Sequence, residues 1–481
     1  MSQLQYSQSI TQNDHARLLV KHQKMAAFLA AIFIFMLLHS IKGVTAFPWD
    51  AADYWRLSST EILFDFPKNS MRGYFYPTLL APIRIFSEAL GVLGHYPYRI
   101  ISSLVYGYFF AIAVPEFYLQ VFGGRASFLR RLITPLLVAI LFPGIIIYTL
   151  SDLPSLAMMI SASACALSSI RTSTKLKRYS LLILSGLLAY GAYNTRTIYL
   201  FPAGLLVLAL ALAIYHKHSA GTRSFTILFF LLGAGIASIP QVVINYKNHD
   251  SLSPMVITTS PYNRSLFAGQ LLWGITLQRY ETSIDSTSPP TKYYMDKAGE
   301  RLFSDNKIGS EPFGLRTYFE LALENPVDFA GIYGRHIVNG LDLRDGEVYT
   351  VGEPAKRNAL AIFNFLIVFS GLFIITMTIL TKQAKVEQKI KSVFWGFLVL
   401  LPAIMIIPGA IETRFFLAIH LAIYCSIAFT SDPDSIKNLL HRHWFLISLT
   451  LAISATLFFS ISTTTLVSLQ YSFSDLYQGR W

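Results

Sequence analysis

Residues 25–46 read MAAFLAAIFIFMLLHSIKGVTA, and residues 47–58, which follow without a break, read FPWDAADYWRLS. The first stretch supplies the roughly 20 apolar residues that a helix needs to cross a bilayer. The second turns at once to proline, tryptophan and two acids. Pro48 and Trp49 suit the headgroup level, where aromatic residues gather. Asp50 and Asp53 are three apart, so a helix would put them on one face, at the point where the chain leaves the membrane. Twenty-four residues precede the apolar run, which is long for the leading segment of a signal peptide. The run is therefore read as a membrane helix that stays, although Val44-Thr45-Ala46 has the small residues of a cleavage site.

Ten more apolar runs follow, near 99–121, 132–150, 153–170, 179–194, 198–214, 224–246, 359–381, 393–411, 414–430 and 444–468. The fifth of the eleven, 179–194, is short and is expected to be tilted or thinly covered. The 481 residues are 53% hydrophobic and 14% charged, whereas a soluble chain carries about a quarter charged residues. That excludes a water-soluble enzyme, a disordered chain and a coiled coil. The net charge of +12 is read as a topology signal and not as a nucleic-acid surface. Cys165 and Cys425 both lie in apolar runs, which gives no disulfide framework and no metal spacing. No motif asks for a cofactor or a metal.

The basic residues alternate from loop to loop. With the N-terminus in the cytoplasm, the inward segments hold Arg17, Lys21 and Lys24; Arg125, Arg130 and Arg131; Arg171, Lys175, Lys177 and Arg178; Lys217 and Arg223; Lys382, Lys385, Lys389 and Lys391; and Lys437 and Arg442. These 18 stand against three in the short outward loops and C-terminal tail, Arg196, Arg414 and Arg480. Such a bias places the positive loops inside. It predicts eleven crossings of a plasma (inner) membrane, with the N-terminus cytoplasmic and the C-terminus outside. The expected fold is all-α and polytopic: an N-terminal membrane module over 1–246, an outward helical region over 247–357 and a C-terminal membrane module over 358–481.

Only two outward segments are long, 47–98 and 247–357, so any chemistry must be assembled from them and from the outer helix ends. In the first, Leu57, Ile62, Leu63 and Phe66 recur at helical spacing and predict a helix on the membrane surface. In the second, helices are predicted over 262–280, 290–305 and 312–338, the last broken near Pro326. Arg196 and Arg414 oppose the charge trend and need a reason: holding a lipid phosphate, or snorkelling to headgroups. Asp152 precedes Pro154 at an outward turn; helix capping is favoured there over service in a site. For Arg72, Tyr76, Arg264, Arg335 and His336, each taken alone, a solvated loop role is the first expectation. His39 and His420 lie in or beside runs and are expected to bond between helices.

The order of features resembles the GT-C glycosyltransferases, in particular the branch with protein mannosyltransferases and lipid A aminoarabinose transferases. The resemblance rests on Asp50-Ala51-Ala52-Asp53-Tyr54 opening the first outward loop and on Gly73-Tyr74-Phe75-Tyr76-Pro77 before the second run. It rests further on Ser151-Asp152-Leu153-Pro154 between the third and fourth runs, on Asn194-Thr195-Arg196 after the fifth, and on Glu412-Thr413-Arg414-Phe415 before the tenth. It implies a sugar donor carried on polyprenyl phosphate, an acceptor glycan or glycolipid, and membrane lipids as surroundings. The size resembles that of bacterial members that decorate lipopolysaccharide O-antigen or other envelope glycans.

A transferase of this kind needs a base for the acceptor hydroxyl and cations for the leaving phosphate. Asp50 is the candidate base and Asp53 its helper, with the roles open to exchange; both could instead serve only the helix N-terminus. Tyr54, Arg72, Tyr76, Asp152, Arg196, Arg264, Glu412 and Arg414 are the candidate substrate contacts. Two other readings compete. An O-antigen polymerase or ligase would work from Arg264, Arg335 and His336 in the late loop. A lipid-glycan flippase would carry charged or broken helices at mid-membrane and two similar halves, neither of which the sequence displays.

Overall fold

In the computed structural model, residues 3–68, 70–91, 95–258, 266–284, 291–306, 313–344, 348–349, 357–381, 386–430 and 433–470 are described. Among them the apolar runs are helical throughout their length, apart from short breaks. The first forms α1 (Gln3–Lys42), followed by α2 (Trp49–Leu57) and α3 (Phe75–Ala89) in the first long loop. The second is α4 (Tyr96–Tyr108), a π-helical turn over Phe109–Ala113, and α5 (Val114–Phe122). The third divides into α6 (Phe128–Leu141) and α7 (Pro143–Ile147), because Pro143 cannot donate its backbone hydrogen to a continuing helix. The fourth is α8 (Asp152–Ile170) and the fifth α9 (Lys175–Thr195). The sixth is α10 (Leu200–Ala209) between a 3-10 turn and a π turn, and the seventh α11 (Ala220–His249).

The expected shortness of the fifth run is corrected. Its helix begins at Lys175 and takes in Arg178, so its 21 residues reach about 32 Å at 1.5 Å each. Its path is fixed by close backbone contact with α11. A Cβ on Gly186 would lie 1.8 Å from the Phe230 carbonyl oxygen, and one on Gly233 would lie 1.9 Å from that of Ile183. Two small residues facing each other's backbone let the helices meet without a side-chain layer.

The second long loop departs from its predicted three helices. It holds α12 (Leu266–Thr276), then β1 (Leu277–Thr282), β2 (Thr291–Met295), α13 (Lys297–Asp305), α14 (Leu315–Glu324) and α15 (Pro326–Gly340). The last described residues, Leu469–Gln470, are β3 and complete an antiparallel sheet in the order β1-β2-β3. Thr291 to Met295, with two tyrosines, suits a pleated surface better than a helix. Leu277, Gln278, Arg279 and Glu281 are buried and Tyr280 and Thr282 are more open, the alternation starting after a register shift between Leu277 and Arg279. The surface helix predicted from Leu57, Ile62, Leu63 and Phe66 does not form: α2 stops at Leu57, and the chain goes on in turns to Phe64, whose φ of +68° no helix allows.

Four helices follow among the described residues: α16 (Asn358–Thr381), α17 (Val386–Ile406), α18 (Leu417–Phe429) after a 3-10 turn over Thr413–Phe416, and α19 (Pro433–Val467). Among the described residues seven helical stretches are long and apolar enough to cross a membrane alone. The other four apolar runs are α6 with α7, α9, α17 and α18. Burial sorts the helices. A window of α8 is 61% buried and one of α19 only 11%, so α8 is the axis of the bundle and α19 lies against lipid. Trp444, Phe445, Leu449, Ile453 and Leu457 are exposed on α19, as are Leu228, Leu232, Ile236 and Ile239 on α11. Such faces need an apolar solvent, and the chain is a multi-pass membrane protein.

The connections gather at two ends. At one end, Lys24 (2.8 Å) and Arg131 (2.6 Å) both pair with Glu116. Nearby the Arg125 amide donates to Phe429 O (3.0 Å), Arg130 donates to Thr430 O (3.0 Å), and Ser392 donates to Val121 O (3.1 Å). The first, second, third, ninth and tenth runs therefore meet there. The other end collects α2, the α7–α8 turn, the α9–α10 turn, the sheet and the turn before α18. Alternate crossing by eleven runs requires this division.

Candidate active site

Trp49 enters α2 with φ +47°, and its indole Nε1 donates to Ser283 O at 2.9 Å. That bond ties the start of α2 to the end of β1. The next peptide is clamped on both sides: the Tyr349 hydroxyl accepts from Ala51 N (3.2 Å), and Thr149 donates to Ala51 O (2.7 Å). Asp50 is thereby presented from the first helical turn. Its Oδ1 accepts from Arg72 Nη2 at 2.5 Å and its Oδ2 from Arg414 Nη2 at 2.8 Å. Burial works against the Asp50 charge, yet Arg414 and Arg72 outweigh it and hold the carboxyl well below the usual carboxylate range.

Arg72 lies over the Tyr54 ring, 5.1 Å from its centroid. The residue after it must be glycine. A Cβ on Gly73 would stand 1.9 Å from the Asn194 carbonyl oxygen. The Asn194 side chain accepts from Phe75 N (2.8 Å), and Tyr54 donates to Thr195 O (3.3 Å). The motifs at 50–54, 73–77 and 194–196 are thus one unit.

Arg196 Nη1 donates to Asp152 Oδ1. The expectation that Asp152 caps its helix is corrected. Ser151 is the N-cap of α8, it makes no side-chain cap bond, and the Asp152 carboxylate turns to Arg196 instead. Asp152 Oδ2 is buried, has no hydrogen-bond partner and lies 3.8 Å from Arg414 Nη1. Arg414 donates through Nε to Glu412 Oε2, and Glu412 Oε1 accepts from Thr282 at 2.8 Å. Burial pushes the Glu412 carboxyl up although Arg414 pulls it down. Three carboxylates, on Asp50, Asp152 and Glu412, and three guanidiniums, on Arg72, Arg196 and Arg414, make a continuous chain. Asp152, Arg196, Arg414 and Phe415 line a small cleft beside Tyr199, Pro402 and Ile406. Phe415 floors the two arginines, 4.3 Å from Arg196 and 5.4 Å from Arg414.

No known family matches the sequence, and no curated protein does. Among solved structures the chain is similar to the crystal structure of the Archaeoglobus fulgidus oligosaccharyltransferase in complex with Zn and sulfate. The TM-score is 0.45 and the identity 13%, over 92% of this chain and 52% of that one. The chain spans about half the length of that protein.

Of the residues singled out in the sequence, Asp50, Arg72, Asp152, Arg196, Glu412 and Arg414 come together. Tyr54 flanks them. Asp53 stands to one side, half-exposed, paired to Arg56 at 3.6 Å. Tyr76 is buried against Tyr54, ring centroids 5.2 Å apart, and shapes the loop from beneath. Arg264 lies outside the described residues. The solvated role expected of Arg72, Tyr76, Arg335 and His336 is corrected: Arg72 is bonded to Asp50 and Tyr76 is buried. Arg335 holds Asp296 at 2.6 and 2.9 Å. His336 is fully buried, with Nδ1 2.6 Å from Ile407 O and Nε2 2.8 Å from Leu277 O.

Thr282, Ser283 and Tyr349 escaped sequence reasoning. They lie far from Asp50 along the chain and carry no motif. Glu281 also escaped; its Oε1 accepts from both the amide (3.0 Å) and the hydroxyl (2.5 Å) of Thr413. A strand carrying alternating charges, Arg279 and Glu281, in an otherwise apolar chain was the one available signal.

Proposed function

We propose that the chain is an integral membrane glycosyltransferase of the GT-C kind. It moves a sugar from a polyprenyl-phosphate donor to an envelope glycan or glycolipid on the outer face of the inner membrane. The N-terminus is cytoplasmic and the C-terminus outside, as the distribution of Lys and Arg supports. One observation carries the reading: acids and arginines from four separate connections join in one ion-pair chain at the end of the bundle, and three of those connections line the cleft beside it. The acceptor oxygen attacks the anomeric carbon, the bond from that carbon to the phosphate oxygen breaks with inversion, and the phosphate leaves with the electron pair. Asp50 takes the acceptor's proton. Arg414 and Arg196 meet the charge that grows on the phosphate, for which a planar guanidinium is well shaped. Asp53, at the open side, contacts the acceptor.

The polymerase or ligase reading loses support because Arg335 and His336 are committed to Asp296 and to two backbone carbonyls. The test is incubation of the purified protein in detergent with candidate polyprenyl-phosphate sugars and acceptor glycolipids, with the product read by mass spectrometry. A transferred sugar with wild type and none with Asp50→Asn is the expected result. Full transfer by Asp50→Asn would remove Asp50 from the chemistry.

A further inference from the structure

In this structure the candidate base is covered. Both carboxylate oxygens of Asp50 are taken by guanidinium groups, and an acid held in that way is a weak proton acceptor. Arg414 is equally committed: Nε to Glu412, Nη2 to Asp50 and Nη1 toward Asp152. The three acids and three arginines balance in charge. Arg196 is bonded to Asp152 through Nη1 alone and lines the cleft with its other N–H groups, so a phosphate can reach it directly; Arg414 can turn to the same phosphate only if a carboxylate gives it up.

The three carboxylates are not equally able to yield. Glu412 is 2% exposed and pinned through its other oxygen by Thr282. Asp152 is 5% exposed and held by Arg196, and its remaining oxygen is already 3.8 Å from Arg414. Asp50 has a third of its side chain open to solvent. It also keeps Arg72 on Oδ1 when Oδ2 is released. Burying or orphaning a charge is costly, so the partner that keeps a second arginine and has access to water is the one that leaves.

We infer that arrival of the donor phosphate uncovers the base: Arg414 exchanges Asp50 Oδ2 for a phosphate oxygen in the cleft shared with Arg196. The carboxylate then faces the acceptor side, ready to take a proton, only when a donor is in place. Arg72 is a positioning residue here, because it keeps Asp50 oriented after release. Glu412 is another, because it keeps Arg414 in the cleft through Nε.

The inference rests on the transferase reading, and its test separates the two. The protein, purified in detergent, is treated with a carbodiimide and a nucleophile. Labelling of Asp50 is read by peptide mass spectrometry, with and without a short-chain isoprenyl phosphate lacking sugar. Binding of that phosphate is followed separately by its effect on the melting temperature. The expected result is weak labelling of Asp50 alone and a several-fold rise at saturating lipid phosphate. Arg72→Gln raises the resting level, because Oδ1 is freed, and keeps the response to phosphate. Saturable binding with unchanged or diminished labelling of Asp50 would overturn the uncovering and leave the transferase intact. Absence of saturable binding would overturn both.

Discussion

Asp50 and Asp53 share one short helix, yet their surroundings divide the work between them. Asp50 is hydrogen-bonded by Arg72 and Arg414, whereas Asp53 pairs with the exposed Arg56 and acts on Arg72 only through its charge. Asp50→Asn is therefore expected to lower transfer by at least about a hundredfold, the usual worth of a positioned base, and Asp53→Asn by less than tenfold. Initial rates on a fixed donor would decide it, and equal losses would contradict the division. The same geometry sets a pH dependence of stability. The folded carboxyl of Asp50 is held below its unfolded value of about 3.9 by the two arginines. Its contribution is thus present above the unfolded value and lost as pH falls through the folded one. Wild type should lose melting temperature faster than Asp50→Asn as pH drops below about 4. At the same scale, Gly73→Ala should cost both folding yield and activity, since the added carbon would meet the Asn194 carbonyl.

The elements around the site were unevenly legible. The apolar runs declared themselves, because a bilayer demands length and hydropathy that little else in a chain supplies. The acids and arginines at 50, 152, 196, 412 and 414 could be picked out because each interrupts an apolar or inward-positive pattern. What joins them could not. The sheet from β1 to β3 pairs segments separated by most of the C-terminal membrane module, and periodicity carries no trace of that pairing. Beneath it Arg279, Asp342 and Arg344 are fully buried. Asp342 faces Arg279 at 3.6 Å and Arg344 at 3.1 Å, and it accepts from Ser462 on α19. This buried set fastens the loop to the last helix and so fixes Thr282 and Tyr349 beside Asp50. Asp342→Leu would leave two buried guanidiniums short of a partner, a loss of about 3–5 kcal/mol in comparable pairs. The expected outcome is a sharp fall in melting temperature, with activity per folded molecule also reduced because Thr282 and Tyr349 lose the anchor that sets them at the site. Unchanged stability would show that the network is not what holds the loop.

At the scale of the whole molecule, the charge pattern and the geometry constrain each other. The Lys and Arg bias orders the loops into two sets without saying whether each set meets in space. Contacts such as those of Glu116 with Lys24 and Arg131, and of Asp50 with Arg414, join loops only within a set. A missed or surplus crossing would have forced a contact between sets. Of the four runs too short or too polar to cross alone, α18 is almost wholly buried among its neighbours, while Leu136 and Ile140 on α6, Leu184 on α9 and Phe397 on α17 present apolar faces outward as a bilayer helix does. The prediction is a defined sidedness. With Cys165 and Cys425, both free, replaced by serine, Ser173→Cys should react with an impermeant maleimide only after the membrane is permeabilised. Thr60→Cys, in the loop that carries Asp50, should react in intact cells whose outer barrier has been removed. The reverse pattern would put the cleft on the cytoplasmic side and end the case for a donor sugar displayed outside. Labelling of both residues in intact cells would break the alternate crossing itself.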